Sequence, residues 1–472
     1  MKEQLLSVGI DIGTSTTQFV LSKLTLFNRA NPFSVPRVEI ADKEVVYRSQ
    51  IHFTPLLDER TIDARGVRDI VAAEYARSGY DKSQVQTGAV IITGETARKE
   101  NARQVLESLS GFAGDFVVAT AGPDLESILA ARGAGMDEYS KEHHCRLLHF
   151  DIGGGTSNLA LYDCGELAAT GCFDVGGRLI KVDGDHCVTY ITPRLRRMFP
   201  HLEVGRRVTA GDLAPVVEAL TQALEQAAGL GSGTQRMEQF LTEGVRWTPP
   251  GGVTHLSFSG GVADCIFHPP GDDFAYGDIG VLLGRAIAAS PALSRVEKVE
   301  GAETIRATVV GAGTHATDIS GSTIFYRDVA FPLKNIPILK LTAAEEQGDA
   351  DALAAAIGDK LRWFADEGGL TQTALGFRGW RSPSYQRVQA AAQGIARGLE
   401  PLKRQGFYPI LVVENDMAKA LGQALAARMD GPLLCLDGVG VENGDYIDIG
   451  APVHGGAVLP VVIKTLVFHK QE

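Results

Sequence analysis

The feature that most constrains this chain is an eight-residue segment that occurs twice, 140 positions apart. The first copy is DIGTSTTQ, residues 11–18, and the second is DIGGGTSN, residues 151–158. Each copy lies between two apolar stretches, so each predicts a strand, a tight turn rich in Gly and Thr, and a second strand. The repeat therefore predicts two similar halves, each with a hairpin turn of the same design.

The residue types in the two turns are those of a phosphate-binding site. Glycine lets the backbone approach an anion, and consecutive N–H groups in a turn form a concave nest for phosphate oxygens. Threonine and serine hydroxyls supply further donors. The cofactor-binding residues predicted on this basis are Gly13, Thr14, Thr16, Gly153, Gly154, Gly155 and Thr156.

An aspartate opens each copy of the segment, at positions 11 and 151. Carboxylates suit a hard cation such as Mg²⁺, which proteins usually hold through water and substrate phosphates. We therefore predict that Asp11 and Asp151 face one another across a magnesium nucleotide, as metal-binding and catalytic residues. Two structural hairpin turns are the alternative, which does not explain why an aspartate recurs where an apolar residue would pack better.

The overall composition is that of a soluble globular protein with several domains. The chain has 472 residues, 44% hydrophobic and 22% charged, a length that predicts about two to four domains. The net charge of −12, without a long basic run, disfavours a nucleic-acid partner. No apolar run is long enough for a membrane span, and the first residues carry no signal-peptide pattern. The six scattered cysteines suit a reducing cytosol.

Strand and helix patterns alternate along most of the chain, which predicts an α/β fold with a mostly parallel sheet and helices on its faces. We expect one half in residues 1–149, a second in 150–294 and an appended α/β module in 295–472. Within that module the pattern predicts a strand near 304–310 and a helix near 384–399.

Three other groups of polar residues do not indicate a site. A histidine and cysteine group has a spacing that matches no common zinc pattern: His143, His144, Cys145 and His149. Four C-terminal carboxylates are expected on a solvated acidic loop: Asp437, Glu442, Asp445 and Asp448. Residues 311–318 have the composition of a further phosphate loop, but an ordinary loop is the better interpretation.

The order of these segments resembles that in the superfamily of actin, sugar kinases and heat-shock chaperone ATPases. The resemblance implies two ribonuclease H-like α/β halves with ATP and Mg²⁺ in the cleft between them. The helix after Pro123 resembles the first connector between the halves, and residues 277–286 resemble the second. Ser259, Gly260 and Gly261 resemble the adenosine loop, which makes them candidate cofactor-binding residues.

Two departures from the superfamily pattern concern hydrolysis and the base. The chaperone branch has a catalytic glutamate just before the connector proline, where this chain has Gly122. Asp124 and Glu126 are the candidates to replace it, and the departure implies slow hydrolysis. After Gly260 and Gly261, residues 262–264 are VAD, where chaperones have polar or arginine residues that stack on adenine. This departure implies that adenine is bound differently or less tightly.

More specifically, the whole chain resembles the family of ethanolamine ammonia-lyase reactivating factors. The likeness lies in VGIDIGTSTTQ (8–18), VVENDMAKALG (412–422) and VLPVVIKTLVF (458–468). Membership implies a chaperone-like ATPase that uses ATP and Mg²⁺ to free its partner, the adenosylcobalamin-dependent ethanolamine ammonia-lyase, of inactivated cobalamin. It also implies a cytoplasmic protein that can accompany the lyase into a bacterial microcompartment.

Two other functions occur on the same fold and stay open at this point. A small-molecule kinase would need a general-base aspartate aimed at a substrate hydroxyl. Asp174 is the candidate, in a segment (173–177) that resembles the diglycine segment of the chaperone branch. An actin-like filament protein would instead assemble when ATP is added.

Overall fold

The computed structural model describes most of the chain. The described residues are 3–13, 16–28, 38–58, 61–93, 101–113, 118–121, 123–315, 318–321, 323–363, 370–443 and 445–465. Thr14, a predicted cofactor-binding residue, and Gly122 lie outside them. Among the helices of the described residues, none combines the length and apolar character needed to cross a membrane.

The first half is built around one mixed sheet. The strands of this half are β1 (Glu3–Ile12), β2 (Thr16–Asn28), β3 (Val38–Arg48), β4 (His52–Phe53), β5 (Leu56–Asp58), β6 (Thr61–Ile62), β7 (Val85–Ile92) and β8 (Val118–Ala121), and its helices are α1 (Ala64–Ser78), α2 (Ala102–Ala113) and α3 (Pro123–Gly133). The next helix, α4 (Met136–Glu142), packs on the second half. The main path of the sheet runs β3-β2-β1-β7-β8. The first three of these strands pair antiparallel, whereas β7 and β8 run parallel to β1.

The second half repeats this design. Its strands are β9 (Arg146–Ile152), β10 (Ser157–Asp163), β11 (Glu166–Phe173), β12 (Ile180–Val182), β13 (Val188–Ile191), β14 (His255–Ser259) and β15 (Glu297–Glu300), and its helices are α5 (Pro193–Met198), α6 (Ala210–Ala227), α7 (Gln235–Phe240), α8 (Ala263–Phe267) and α9 (Gly280–Ala289). The main sheet runs β11-β10-β9-β14-β15, with the same strand directions as in the first half. This shared topology confirms the predicted pair of actin-like, ribonuclease H-like halves.

Two helices, α3 and α10 (Ala307–His315), form a layer between the two sheets. On one side both helices are buried against β7, and on the other they are buried against β9 and β10. The helices touch through glycine: a Cβ on Gly133 would overlap the carbonyl oxygen of Ala307, and one on Gly311 would overlap that of Leu129. This layer holds the halves together next to the cleft.

The sequence prediction and the structure differ at α10. The pattern of 304–310 predicts a strand, because β-branched residues such as Val309 and Val310 favour strands locally. The structure has a helix instead, and residues 311–315 continue it rather than forming a loop. Small residues along this segment let a helix fit between two sheets, and that burial overrides the local preference.

The second connector and the domain boundary also differ from expectation. Residues 277–286 include the start of α9, which packs on α6 and α8 within the second half, whereas α10 is the helix that crosses α3. In addition, β15 is hydrogen-bonded to β14 in the second sheet, beyond the expected boundary at 294. The segment from 295 to 315 therefore belongs to the two halves rather than to the appended module.

The appended module is an α/β unit with one eight-stranded sheet, ordered β16-β23-β22-β18-β19-β20-β21-β17. Its strands are β16 (Asp318–Ile319), β17 (Phe325–Arg327), β18 (Leu333–Lys340), β19 (Ala374–Phe377), β20 (Ile410–Val413), β21 (Leu433–Asp437), β22 (Asp445–Ile449) and β23 (Pro460–Thr465), and its helices are α11 (Ala343–Glu346), α12 (Ala350–Trp363), α13 (Tyr385–Gly398), α14 (Glu400–Arg404) and α15 (Ala418–Ala426). α13 confirms the helix predicted near 384–399.

Three of the four C-terminal carboxylates are buried, contrary to the prediction of a solvated acidic loop. Asp437, Asp445 and Asp448 are each at most 4% exposed, and Glu442 is the exposed member of the set. Asp437 accepts hydrogen bonds from the backbone N–H groups of Met417 and Ala418 at the start of α15, at 3.0 and 2.9 Å. A carboxylate in this position caps a helix, which explains its burial.

The contact between α3 and α10 predicts a large effect of one added methyl group. Gly311→Ala should lower the free energy of unfolding by about 1–3 kcal/mol, because the new Cβ overlaps backbone that cannot rotate away. Gly358→Ala in α12 is the matched control, since no atom lies within 4 Å of its Cβ position; that change should be neutral or mildly stabilising. Urea unfolding measures both, and equal midpoints would contradict the packing described.

Candidate functional site

A cavity of about 470 Å³ lies between the two halves. Ten of the twelve predicted site residues line it: Asp11, Gly13, Thr16, Asp151, Gly153, Gly154, Gly155, Thr156, Gly260 and Gly261. Ser259 donates a hydrogen bond to Asp151 and so borders the same site. Residues predicted from widely separated parts of the sequence therefore meet at one cavity.

The same backbone hydrogen bond closes both hairpin turns. In the first turn the N–H of Gly13 donates to the carbonyl oxygen of Thr16 at 2.8 Å, and in the second Gly153 donates to Thr156 at 2.9 Å. The flanking strands also pair in the same register, so the sequence repeat is a structural repeat. The two turns thus present corresponding residues to the cavity from opposite halves.

Asp11 is a buried carboxylate at the cavity wall, 8% exposed. It accepts a hydrogen bond of 2.8 Å from the hydroxyl of Thr93, which follows β7. Burial raises the pKa of Asp11 to about 7; the bond from Thr93 opposes this rise, and the nearby charge of Asp151 adds to it. A bound cation would therefore be favoured at this carboxylate.

Asp151 is buried to the same degree, at 6% exposed. Ser259 donates to its Oδ1 at 2.6 Å, and Thr308 of α10 donates to its Oδ2 at 3.1 Å. Burial raises the pKa of Asp151, while these two hydrogen bonds lower it. Both carboxylate oxygens are thus held by hydroxyl groups from other segments.

Two amides occupy equivalent positions in the repeated segment, Gln18 and Asn158. Both line the cavity, are at most 5% exposed, and have side-chain carbonyl oxygens without a hydrogen-bond partner among the described residues. Together with Asp11 and Asp151 they form an oxygen-only donor set, which fits a hydrated Mg²⁺. The described residues contain no group of three or more His, Cys, Asp or Glu able to hold a metal.

The diglycine segment supports the second turn. The N–H of Gly177 donates to the carbonyl oxygen of Gly153 at 3.0 Å, and the N–H of Arg178 donates to that of Gly154 at 2.7 Å. A Cβ on Gly176 would overlap the carbonyl of Gly154. Glycine is therefore required at position 176 so that this segment can hold the loop next to the cavity.

The two glycines of the adenosine-loop candidate differ in their roles. Gly260 has a φ of +83° and its Cβ position overlaps the backbone of Ile152, so the packing itself requires glycine there. Gly261 has no atom within 4 Å of its Cβ position and faces the open cavity. A glycine that the protein packing does not require, at a cavity wall, leaves room for a ligand.

Of the two candidate replacements for the missing glutamate, the structure places one at the cavity. Glu126 on α3 lines it, whereas Asp124 is exposed and accepts a hydrogen bond of 2.7 Å from Thr170. Asp174, the candidate kinase base, is not part of the described cavity wall; it forms an ion pair of 3.0 Å with Arg194. The described geometry therefore does not favour Asp174 as a kinase base.

Sequence reasoning missed the segment just before and within α10, which it assigned to the appended module. The carbonyl of Ile305 accepts a hydrogen bond from Gln18, and the carbonyl of Thr304 accepts one from Gly260. Arg306 and Thr308 also line the cavity. No local motif marks these residues, because their role comes from contact with both halves.

The histidine and cysteine group does not come together in the fold. His143 and His144 are exposed, whereas Cys145 and His149 are buried. Burial lowers the pKa of His149 to about 3, and its ring contacts Ser257 and Ser259 of β14. Of the four, His149 is the residue connected to the cavity through a hydrogen bond.

Comparison with known proteins links the chain to one family. Residues 3–469 match the family model described as "Ethanolamine utilisation protein EutA". The "Ethanolamine ammonia-lyase reactivase EutA" of Salmonella typhimurium is 38% identical over 486 residues, which cover 98% of this chain and 99% of the relative. The protein of the same name from Escherichia coli is 37% identical over 489 residues, with 98% and 99% covered.

Similar solved structures are more distant. A Ppx/GppA family member from Aquifex aeolicus is 11% identical with a TM-score of 0.40, covering 66% of this chain and 97% of its own. The ethanolamine utilization protein EutJ from Carboxydothermus hydrogenoformans is 17% identical with a TM-score of 0.35, covering 65% and 89%. Likenesses this weak do not bear on the function of this chain.

The buried Asp11 predicts that the ligand-free protein loses stability as the pH rises. The pKa of Asp11 is raised from 3.8 to about 7, so its contribution is complete below about pH 4 and is lost as the pH rises through about 7. Asp11→Asn should reduce this loss and raise the free energy of unfolding at pH 8, without Mg²⁺, by about 1–3 kcal/mol. Asp69→Asn, on an exposed position of α1, is the control.

Calorimetric unfolding at pH 5 and pH 8 in chelator-treated buffer makes the comparison. If Asp11→Asn is as sensitive to pH as the unmodified protein, the carboxylate does not carry the predicted burden.

Proposed function

The chain belongs to the ethanolamine utilisation protein EutA family, and from this membership we propose that it is an ATP-dependent reactivating factor for ethanolamine ammonia-lyase. In this role it releases inactivated cobalamin from the lyase so that intact adenosylcobalamin can bind. The observation that supports the proposal is full-length similarity to two reactivases in a chain whose halves enclose a cavity lined by two buried carboxylates. We also propose that it acts wherever its lyase resides, including a bacterial microcompartment.

ATP is the proposed substrate of the cavity between the halves. Backbone N–H groups of Gly154 and Gly155 and the hydroxyls of Thr16 and Thr156 are the proposed donors to the phosphate oxygens, a role that both glycine-rich turns and hydroxyl groups suit. The adenosine would lie against Gly261, whose Cα faces open space. Thr14 is proposed as a further donor by its position in the first turn.

Mg²⁺ is the proposed metal, held by Asp11 and Asp151 through water, with the amide oxygens of Gln18 and Asn158 as further acceptors for its water ligands. When bound, it neutralises phosphate charge and polarises the transferred group. The two buried carboxylates provide the compensating negative charge, and the low dielectric of a buried site strengthens their effect. Phosphoryl transfer then depends mainly on how well these groups are positioned.

Glu126 is the proposed residue that orients the attacking water. It lines the cavity from α3, one half-turn away from the exposed Asp124. A carboxylate in hydrogen-bond reach of the water can accept its proton as the bond to phosphorus forms. Glu126 thus replaces, from a different position on the connector helix, the glutamate of the chaperone branch.

Reactivation needs a free-energy difference between two conformations of the protein. ATP contacts both halves and ADP contacts them less, so the two nucleotides favour different separations of the halves. The difference between the affinities of ATP and ADP for these conformations is the only free energy available to change how the protein binds the lyase. Nucleotide hydrolysis and exchange would then drive one cycle of cobalamin release.

The reactivating role is tested with lyase whose active site is blocked by cyanocobalamin. Incubation with the protein, ATP, Mg²⁺ and adenosylcobalamin should restore deaminase activity to several times that of the protein-free control. Asp151→Asn protein should restore none, because the metal site is incomplete, and omission of ATP should have the same effect. Equal recovery with and without the protein would refute the proposal.

The role of Glu126 is tested by a pair of matched variants. Glu126→Gln should lower the rate of ATP hydrolysis by about 10²–10³-fold, as expected for loss of a general base, with nucleotide affinity changed by less than about threefold. Asp124→Asn, two residues away and outside the cavity, should keep the parental rate. Phosphate release and binding of a fluorescent ATP analogue measure the two effects, and a Glu126→Gln protein of unchanged rate would exclude the assignment.

A further inference from the structure

A buried histidine adjoins the residues that hold Asp151. His149 and Asp151 lie two positions apart on β9, and side chains two positions apart point to the same face of a strand. His149 is 0% exposed, and its Nε2 lies 2.9 Å from the hydroxyl oxygen of Ser259. Ser259 in turn lies 2.6 Å from Oδ1 of Asp151. The three side chains form one continuous hydrogen-bonded chain.

The direction of each hydrogen bond in this chain follows from the number of available protons. An ionised Asp151 can only accept, so the single hydroxyl proton of Ser259 is directed to Asp151. The Ser259 oxygen must then accept from His149, which makes Nε2 the protonated ring nitrogen. Nδ1 lies 3.2 Å from the hydroxyl of Ser257, which is able to donate to it and so to select this tautomer.

We propose that His149 is a positioning residue for Asp151 and acts through Ser259. The Nε2–H of His149 fixes the Ser259 hydroxyl, Ser259 fixes Oδ1, and Thr308 holds Oδ2 at 3.1 Å. The carboxylate is then held in one orientation toward the cavity, and such partners typically change metal affinity or activity by about 10–100-fold. The inference rests on the proposed function, in which Asp151 directs the Mg²⁺-bound nucleotide.

Substitutions that retain or remove one donor separate this role from simple core packing. His149→Leu fills the buried position with an apolar side chain but removes the donor, so kcat for ATP hydrolysis should fall about 10–100-fold with little change in KM for ATP. The Mg²⁺ concentration for half-maximal activity should rise as well. His149→Gln places an amide N–H near the former Nε2 and should recover most of the loss, whereas His149→Asn reaches only the Nδ1 position and should not.

A double mutant tests whether the effect passes through Ser259. If it does, His149→Leu combined with Ser259→Ala should be no slower than Ser259→Ala alone, because the same interaction is already lost. Independent losses that multiply would overturn the proposal. So would a His149→Leu protein with the parental kcat and Mg²⁺ dependence.

A binding measurement keeps the inference separate from the proposed function. The thermal shift produced by MgATP should require more Mg²⁺ in His149→Leu than in the parent, whether or not turnover is measurable. Ser257→Ala, which keeps the ring in place, should show a smaller change in the same direction if the leucine variant does not fold. If Asp151→Asn abolishes the shift and neither substitution alters it, His149 has no positioning role. If Asp151→Asn does not change the thermal shift, Asp151 does not bind the Mg²⁺-nucleotide, and both the proposed function and the role of His149 are refuted.

Discussion

Two carboxylates buried beside one cavity are the constraint on which the rest of the structure depends. Asp11 and Asp151 come from different halves, and burial raises the pKa of both. Carboxylates removed from water are costly unless hydrogen bonds or a cation compensate for the lost hydration. Hydroxyls of Thr93, Ser259 and Thr308 supply part of this compensation. A cation bound beside them would supply the remainder.

The helix layer between the sheets connects that site to the rest of the chain. α10 contributes Thr308 to Asp151, is in backbone contact with α3 at Gly133 and Gly311, and ends at His315, just before the appended module. Helices packed this closely can slide or rotate as units but cannot bend locally to absorb a displacement. A relative movement of the two halves would therefore shift the start of the module as well.

Predictions from the sequence agree with the structure where a feature is encoded by neighbouring residues, and they differ where tertiary packing determines the outcome. Both turns are foreseeable because each is one short run of residues. The choice between Asp124 and Glu126 is not, because residues two apart on a helix point in different directions and only the docking of α3 shows which one faces the cavity. Likewise, Val309 and Val310 favour a strand locally, yet their segment is a helix because two sheets enclose it.

The sequence by itself determined that this chain repeats a carboxylate-bearing glycine turn, and hence that it has two similar halves; a nucleotide site between them stays a prediction. It could do so because a turn and its strands are encoded by neighbouring residues. Only the tertiary structure decided what surrounds the carboxylates: Thr93, Ser259, Thr308 and, behind them, His149. Thr93, Ser259 and Thr308 are far from the carboxylates in the chain, and His149, two positions from Asp151, is connected to it through Ser259. Their hydrogen bonds exist because the packing of β7, β14 and α10 brings the partners within about 3 Å of one another.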